Sequence, residues 1–320
     1  MFVYRGEGLC TLLVLAIVAL LALLENLGGA VVIWSVFSGA FFVFLALIGV
    51  GLVMRPLNVG PHTATTLIAF GLFPIFANLF AILTYTAFPL NRPLIDAHLF
   101  RIDAWFGYDW EAAVTWQAAH PEFSLFLARV YTSSLFQIGL LLLVLGAMGR
   151  VVPLHRMLLT GAISVCLTFG FWLVFPSFGP AAYFDLPEEV VARASLVVTP
   201  EYGDQLRALA EHGLSGVETL TLLGTVAFPS FHIVMAGLVV WFSRGTLLFW
   251  PLLLLNVPMV PATLTHGGHH LADLFGGVVV FALAAAAAGR LLPDGEARRI
   301  NFSRAPIKLT AEPSVLRTDR

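Results

Sequence analysis

The sequence predicts an all-α integral membrane protein with several membrane-crossing helices, and three observations support that prediction. Of the 320 residues, 59% are hydrophobic and only 11% are charged, whereas about 25% are charged in an ordinary soluble domain. Apolar runs recur along the chain, most of them near the roughly 17–25 residues that a helix needs to cross a bilayer. Polar residues concentrate between these runs, in residues 91–122 and 176–225, and in the tail 293–320.

Eight apolar runs are predicted to span the membrane as one helix each. The first two lie within residues 1–60 and are extra amino-terminal helices, and the other six form the core over residues 61–292. We expect the first helix to be retained, because no small-residue cleavage site follows its apolar run. The predicted spans are 9–24, 30–53, 64–88, 123–148, 151–175, 226–242, 246–264 and 271–289.

The polar stretches have different predicted roles. Residues 91–122 mix tryptophans and charges with apolar residues at helical spacing, which predicts an interfacial amphipathic helix. Residues 176–225 are the longest excursion from the membrane, and both stretches are expected to cap the core. The tail 293–320 is polar and contains proline, which predicts disorder.

The distribution of basic residues predicts the orientation. Most of the 17 lysines and arginines fall in the termini and in loops on the same side of the eight predicted spans. By the positive-inside rule the termini are cytoplasmic, and an inner (plasma) membrane location is expected. His232 opens the sixth span and His269 precedes the eighth, so both fall on the extracytoplasmic face together with the cap.

Composition also excludes some partners. The net charge is −2 at pH 7, and no basic run indicates a nucleic-acid-binding surface. Cys10 and Cys166 both lie inside apolar segments. We therefore expect neither a disulfide nor a metal–thiolate site.

Residues 263–277 read T-L-T-H-G-G-H-H-L-A-D-L-F-G-G, and they place His269 and Asp273 four positions apart where a glycine turn enters an apolar helix. Residues at i and i+4 share a helix face, so the carboxylate can reach one ring nitrogen of His269. That contact would fix the tautomer and leave the other nitrogen free and more basic. Gly267 and Gly268 would let the backbone approach a ligand closely. The simpler alternative for Asp273 is a structural hydrogen bond between helices.

A second histidine, His232, stands in F-P-S-F-H at residues 228–232, where another loop enters an apolar helix. An oriented imidazole and a separate imidazole suit nucleophilic attack on phosphorus with an acid for the leaving group. Alone, His232 would more often be an interfacial or core residue. Ser230 could either cap the helix or offer its hydroxyl or backbone N–H to a phosphate oxygen.

P-S-x-H followed further along the chain by H-x-x-x-D resembles the type 2 phosphatidic acid phosphatase superfamily. Residues 94–110, 131–137 and 175–184 make the chain more similar to the inositol phosphorylceramide synthase-like branch. The resemblance covers roughly residues 94 to 289. It implies that His269 is the nucleophile and becomes phosphorylated, that Asp273 holds it, and that His232 protonates the leaving group.

The phosphate-binding residues depart from the wider superfamily pattern. Many members carry K-x6-R-P before P-S-x-H and an arginine six residues before the nucleophile. Here F-P-S-F-G-P-A-A-Y-F replaces the first motif, and Thr263 stands in place of the arginine. Arg129, near the outer end of the fourth span, is the first candidate for binding the phosphate, and Arg193 and Arg207 are others. Each could equally be a solvated or headgroup-facing arginine.

A metal site is an alternative use of the same histidines. His266, His269 and His270 spell H-x-x-H-H, which resembles one histidine box of the membrane di-iron desaturases, and Asp273 could complete such a site. No second box exists, so His266 and His270 are expected to support the phosphate site or to face headgroups. No metal and no cofactor are required, because imidazoles, helix N-termini and arginine can meet the phosphate charge.

The expected function is a lipid phosphotransferase or phosphatase that acts on a lipid phosphate or phosphodiester. A polyol or ceramide-type acceptor would make the protein a transferase, and water would make it a phosphatase. From a different class, the alternative is a transporter or scaffold whose Asp273 and histidines line a polar pathway.

Overall fold

A computed structural model describes residues 2–27, 34–90, 92–216, 221, 223–293 and 299–301. These residues are mostly helical and include only two short strands, which confirms the all-α prediction. The elements are β1 (Phe2–Tyr4), α1 (Arg5–Asn26), α2 (Trp34–Met54), α3 (Pro61–Thr86), α4 (Asp96–Trp105), α5 (Trp110–Ala118), α6 (Pro121–Thr132), α7 (Ser134–Ala147), α8 (Val151–Val174), α9 (Glu188–Ala194), α10 (Pro200–His212), α11 (Phe231–Phe242), α12 (Phe249–Asn256), α13 (Met259–His266), α14 (Leu271–Leu291) and β2 (Arg299–Asn301).

Four of the helices in the described ranges, α1, α3, α8 and α14, are long and apolar enough to cross a membrane. The pair α6 and α7 makes a fifth span if its two bent halves are counted together. The predicted span 123–148 is therefore not one continuous helix, because the chain bends by 48° between α6 and α7. The hydroxyls of Ser133 and Ser134 donate to the carbonyls of Val130 and Tyr131 at 2.6 and 3.1 Å, and such back-bonding bends helices.

Two further predicted spans are shorter than expected. The helix predicted over 226–242 begins only at Phe231, after the loop that contains Pro229, and α11 has 12 residues. The predicted span 246–264 is divided into α12 and α13, of 8 residues each. Pro258 lies at this break and has no N–H to donate along a continuous helix. The predicted span 30–53 begins outside the described residues, and α2 is described from Trp34.

The cap consists of short helices rather than one amphipathic helix. Residues 91–122 contain α4 and α5, which are separated at Gly107, where φ is +72°. The Asp109 side chain accepts a hydrogen bond from the Ala112 N–H at 2.9 Å and so begins α5. Residues 176–225 contain α9 and α10. Trp110 and Phe178 of the cap are buried in a hydrophobic cluster that also contains Trp172 of α8, so the cap packs on the ends of the membrane helices.

The amino-terminal helices pack on the membrane core, since α1 contacts α3 and α8, and α2 lies along α3. A buried ion cluster joins them. The Arg55 guanidinium donates to Glu7 at 2.5 and 2.7 Å, and the His155 Nε2 lies 3.3 Å from the same carboxylate. Within the tail predicted to be disordered, Arg299–Asn301 pairs antiparallel with Phe2–Tyr4. Residues 294–298 and 302–320 lie outside the description, so the disorder of the tail stays a prediction.

Candidate active site

His269 lies in the turn between α13 and α14, and its side chain contacts Asp273 in the first turn of α14. The His269 Nδ1 is 2.9 Å from the Asp273 Oδ2. The same carboxylate oxygen accepts the His270 backbone N–H at 2.9 Å. Asp273 is fully buried and His269 is nearly so. The short i,i+4 contact orients the imidazole and leaves its Nε2 on the opposite edge of the ring.

The backbone of this turn requires glycine. Gly268 has a φ of +60°, in the left-handed region that other residues rarely adopt. Opposite it, in the loop that precedes α9, Gly179 has φ +82° and ψ 169°. A Cβ atom on Gly179 would collide with the carbonyl oxygen of Gly268. The loop from the cap therefore packs backbone against backbone on the turn that carries His269.

We expect the Gly179→Ala substitution to destabilise the protein by about 1–3 kcal/mol, because its φ and ψ belong to a region that is essentially restricted to glycine and its Cβ would meet Gly268. Thermal unfolding in detergent measures the effect. Gly170→Ala is the matched control, since Gly170 is exposed on α8 and a Cβ there meets nothing within 4 Å. Equal unfolding temperatures for the two variants would contradict the proposed close packing.

His232 lies in the first turn of α11 and faces the same cavity as His269. Its ring stacks on Tyr131 of α6, with centroids 3.8 Å apart and an interplanar angle of 18°. The cavity has a volume of about 450 Å³, and both histidines are among its lining residues. Most of the other lining side chains are apolar, including Phe80, Phe178 and Met235. The structure thus brings the two predicted catalytic histidines to one apolar cavity.

Ser230 connects the two histidine-bearing segments. Its backbone N–H donates to the Asp273 carbonyl at 3.0 Å, and its hydroxyl lies 3.4 Å from the His269 Nε2. Ser230 occupies the position before α11 but makes no side-chain capping hydrogen bond. The Ser230 hydroxyl therefore lies beside the His269 imidazole and does not cap α11. A contact with phosphate stays a prediction.

The structure does not bring the predicted phosphate-binding arginines to the cavity. Arg129 is exposed on α6 and is not among the described lining residues. Arg193 donates to the Ala118 carbonyl at 3.1 Å, and Arg207 pairs with Asp204. The described lining contains no Lys or Arg. A role for Arg129 in binding phosphate therefore stays a prediction, as does one for Gly268, which packs against Ala181.

The other two histidines of the H-x-x-H-H sequence have different surroundings from His269. The His266 Nε2 lies 3.4 Å from the Ser124 hydroxyl, whereas the His270 ring lies between Asp96 and Asp103. In the part of the chain that the structure describes, no group of three or more His, Cys, Asp or Glu side chains is arranged to hold a metal ion. The histidines and Asp273 that were considered as an alternative metal site are therefore not arranged as a set of metal ligands.

Sequence reasoning missed the residues of α4 that contact His270. It assigned the charged residues of 91–122, Asp96 and Asp103 among them, only to an amphipathic surface helix. Both are buried, and Asp103 contacts the turn that carries His269. Their spacing could have indicated this, because Asp96, Phe100 and Asp103 stand at i, i+4 and i+7 and so share one helix face. Two buried carboxylates on one face of a cap helix require a partner.

Fold and site together define a helical integral membrane protein with a histidine–aspartate pair at an apolar cavity. Residues 97–287, more than half of the chain, match the family model described as the PAP2 superfamily. The chain belongs to this superfamily, the type 2 phosphatidic acid phosphatases, whose members are generally lipid phosphatases and phosphotransferases. Comparisons with curated proteins and with solved structures gave no significant match.

Proposed function

We propose that this protein is a lipid phosphotransferase that acts through a phosphohistidine intermediate on His269, with an inositol phosphorylceramide synthase-like activity. The observation that carries the proposal is the pairing of His269 Nδ1 with Asp273 at 2.9 Å beside a cavity that His232 also lines. This arrangement supplies an oriented nucleophile and a separate acid–base group to one bound phosphate.

In the first step, the His269 Nε2 attacks phosphorus and a new N–P bond forms. The bond from phosphorus to the leaving oxygen breaks, and its electron pair stays on that oxygen. His232 gives its proton to the departing alkoxide, so the first product leaves as a neutral alcohol. A bound phosphate anion favours the protonated form of His232, because a nearby opposite charge stabilises the imidazolium. Asp273 stabilises the positive charge that develops on His269.

In the second step, His232 removes the proton from the hydroxyl of the acceptor. The acceptor oxygen attacks phosphorus, the N–P bond breaks, and its electron pair returns to the His269 Nε2. His232 is then protonated again and the site is restored. A phosphodiester donor gives a new phosphodiester with an alcohol as the acceptor and a phosphomonoester with water. A phosphomonoester donor gives a new phosphomonoester with an alcohol and free phosphate with water.

The surroundings of the cavity support a lipid substrate. Its lining is mostly apolar, so hydrocarbon from a lipid would replace water there and gain from its burial. The first N–H groups of α11, beside His232, have no partner within their own helix and favour a negative charge. No metal or cofactor is required for these steps. We further propose that both termini are cytoplasmic and that the site faces the extracytoplasmic side of an inner (plasma) membrane.

The test uses the purified protein in liposomes with two labelled donors, phosphatidic acid and phosphatidylinositol. Each donor is supplied with and without ceramide and with and without inositol, and free phosphate and new phospholipid are both followed. A new headgroup-bearing lipid that requires the added alcohol supports the transferase. Free phosphate from phosphatidic acid without an acceptor would support the phosphatase instead. If neither product forms with either donor, the transport hypothesis is favoured.

We expect His232→Ala to lower kcat/KM about 10²-fold or more for a lipid donor, as is usual when a general acid is lost. With an aryl ester of the same phosphate the loss in kcat/KM should be small, because an aryl oxide leaves without a proton. Initial rates with both donors measure this difference. His212→Ala, at an exposed histidine of the cap, is the control. An equal loss with both donors would rule out the acid role.

A further inference from the structure

One face of α4 encloses the ring of His270. Asp96, Phe100 and Asp103 share this face. The Asp103 Oδ2 is 2.5 Å from the His270 Nδ1, and the Asp96 Oδ1 is 3.5 Å from its Nε2. Phe100 meets the ring edge to face, with centroids 4.6 Å apart. His270 is therefore fixed on three sides by a helix of the cap.

The same two carboxylates also accept backbone N–H groups, Asp103 from the turn that carries His269 and Asp96 from the adjacent cap loop. The Asp103 Oδ1 accepts the Leu271 N–H at 2.9 Å. Asp96 accepts the N–H groups of Phe178 and Gly179, the latter at 2.7 Å. Gly179 packs on the Gly268 carbonyl. The turn that carries His269 is thus bonded to α4 through Asp103, and it packs on the cap loop that Asp96 holds.

His270 is also linked to the catalytic carboxylate through its backbone. Its N–H donates to the Asp273 Oδ2, the oxygen that contacts His269. Asp96, His270 and Asp273 are fully buried, and Asp103 is 3% exposed. Three buried carboxylates need positive charge close by, and His270 is placed to supply it. None of Asp96, Asp103 and His270 is among the lining residues of the cavity.

The electrostatic surroundings favour a protonated His270. Burial lowers the pKa of His270, but the hydrogen bond to Asp103, the carboxylate of Asp96 beside the ring and the charge of Asp273 outweigh it and raise the pKa to about 9. Two tyrosines also face the cluster, Tyr108 and Tyr183. Burial and the nearby carboxylates raise the pKa of both hydroxyls, so both are neutral. The imidazolium of His270, which lies between Asp96 and Asp103, supplies positive charge to this cluster.

We propose that His270, held as an imidazolium between Asp96 and Asp103, is a positioning residue that keeps the Asp273 carboxylate ionised and aimed at His269. The proposal rests on the proposed function of the same site. If it is correct, activity requires that α4 packs on the turn that carries His269, although no group of α4 touches the reacting atoms.

Asp103→Asn is the most informative variant, because asparagine has the same shape and can still accept the Leu271 N–H. It removes the carboxylate that is closest to His270, so the pKa of His270 falls and the ring becomes neutral at a lower pH. We expect the ratio of mutant to wild-type kcat to fall about tenfold between pH 6 and pH 8, because above its pKa the protonated fraction falls about tenfold per pH unit. KM should be nearly unchanged.

Two other variants make the comparison specific. Asp109→Asn, at an exposed carboxylate of the cap, keeps a good helix cap and should match the wild type at every pH. In His270→Gln the side-chain amide can still donate to Asp103 but carries no charge. Its kcat should be lower than that of the wild type by the same factor at pH 6 and at pH 8. A purely structural role predicts instead that Asp103→Asn loses the same fraction of kcat at each pH, and that result would overturn the proposal.

Thermal unfolding from pH 6 to pH 9.5 provides a second readout that does not depend on turnover. The folded-state pKa of His270 is about 9, above the ordinary value of 6.5. Protonation of His270 therefore stabilises the wild type fully below about pH 6.5, and this stabilisation is lost as the pH rises through 9. The Asp103→Asn variant should lose this stabilisation at a lower pH than the wild type. Identical pH profiles for the two proteins would refute the charged cluster. A wild type without turnover but with this shift would instead refute the proposed function alone.

Discussion

His269→Ala is expected to abolish turnover, with a loss in kcat of about 10⁴-fold or more, since no other group can form the covalent intermediate. His269 is the imidazole that Asp273 orients, at 2.9 Å, and its Nε2 side adjoins Ser230 and the cavity. Product formation by purified protein in liposomes measures the loss, with whichever labelled donor the wild type uses.

The control for this variant is again His212→Ala, which removes an exposed histidine of the cap. It should retain wild-type turnover and unfolding temperature. His269→Ala is expected to unfold at a lower temperature than the wild type, because it leaves the buried Asp273 carboxylate without its imidazole partner. Turnover is therefore compared at a temperature at which both variants are folded. A His269→Ala protein that turns over at a rate close to the wild type would exclude His269 as the nucleophile.

Asp273→Asn is expected to lower kcat by about 10³-fold to 10⁴-fold while it leaves the shape of the site unchanged, the size of effect seen when a triad aspartate loses its charge. The amide can no longer stabilise the imidazolium that forms when His269 attacks phosphorus. An amide nitrogen that faces the His269 Nδ1 would also favour the tautomer whose Nε2 carries the proton and cannot attack. Steady-state rates at several pH values measure the loss.

A loss of folding is the competing explanation for Asp273→Asn, because Asp273 is fully buried and accepts the His270 N–H. Its unfolding temperature therefore has to be compared with that of Asp109→Asn, which makes the same chemical change at an exposed position. Low activity with a near-wild-type unfolding temperature supports the catalytic role. If activity falls only in proportion to the unfolded fraction, Asp273 is a structural residue.

The parts of the site that the sequence predicted are the local ones. A spacing of four residues at a helix start determines whether a carboxylate reaches an imidazole, and the contact between Asp273 and His269 follows from it. From the number of spans between them, His232 and His269 were predicted to lie on the same face of the membrane. In the structure both line a single cavity. The all-α fold followed in the same way, from the length and frequency of the apolar runs.

The parts that the sequence did not predict depend on contacts between distant segments. Nothing local to α4 shows that Asp103 meets His270, which is far away in the chain. The bend at Ser133 and the break at Pro258 interrupt runs that are mostly apolar, so their hydropathy alone predicts continuous helices. The side-chain direction of Arg129, which leaves it exposed, is likewise a result of tertiary packing.

The most direct test of the central claim is the isolation of the phosphorylated enzyme. A donor labelled at phosphorus is mixed with the protein, the reaction is quenched in alkali and detergent, and the labelled peptide is identified by mass spectrometry. A phosphohistidine is stable in alkali and is lost in acid. His232→Ala with the aryl ester should accumulate the intermediate, because it can form the N–P bond but has no base to activate the acceptor. The account predicts acid-labile label on His269, absent from His269→Ala; turnover without labelled protein, or label on another residue, would contradict it.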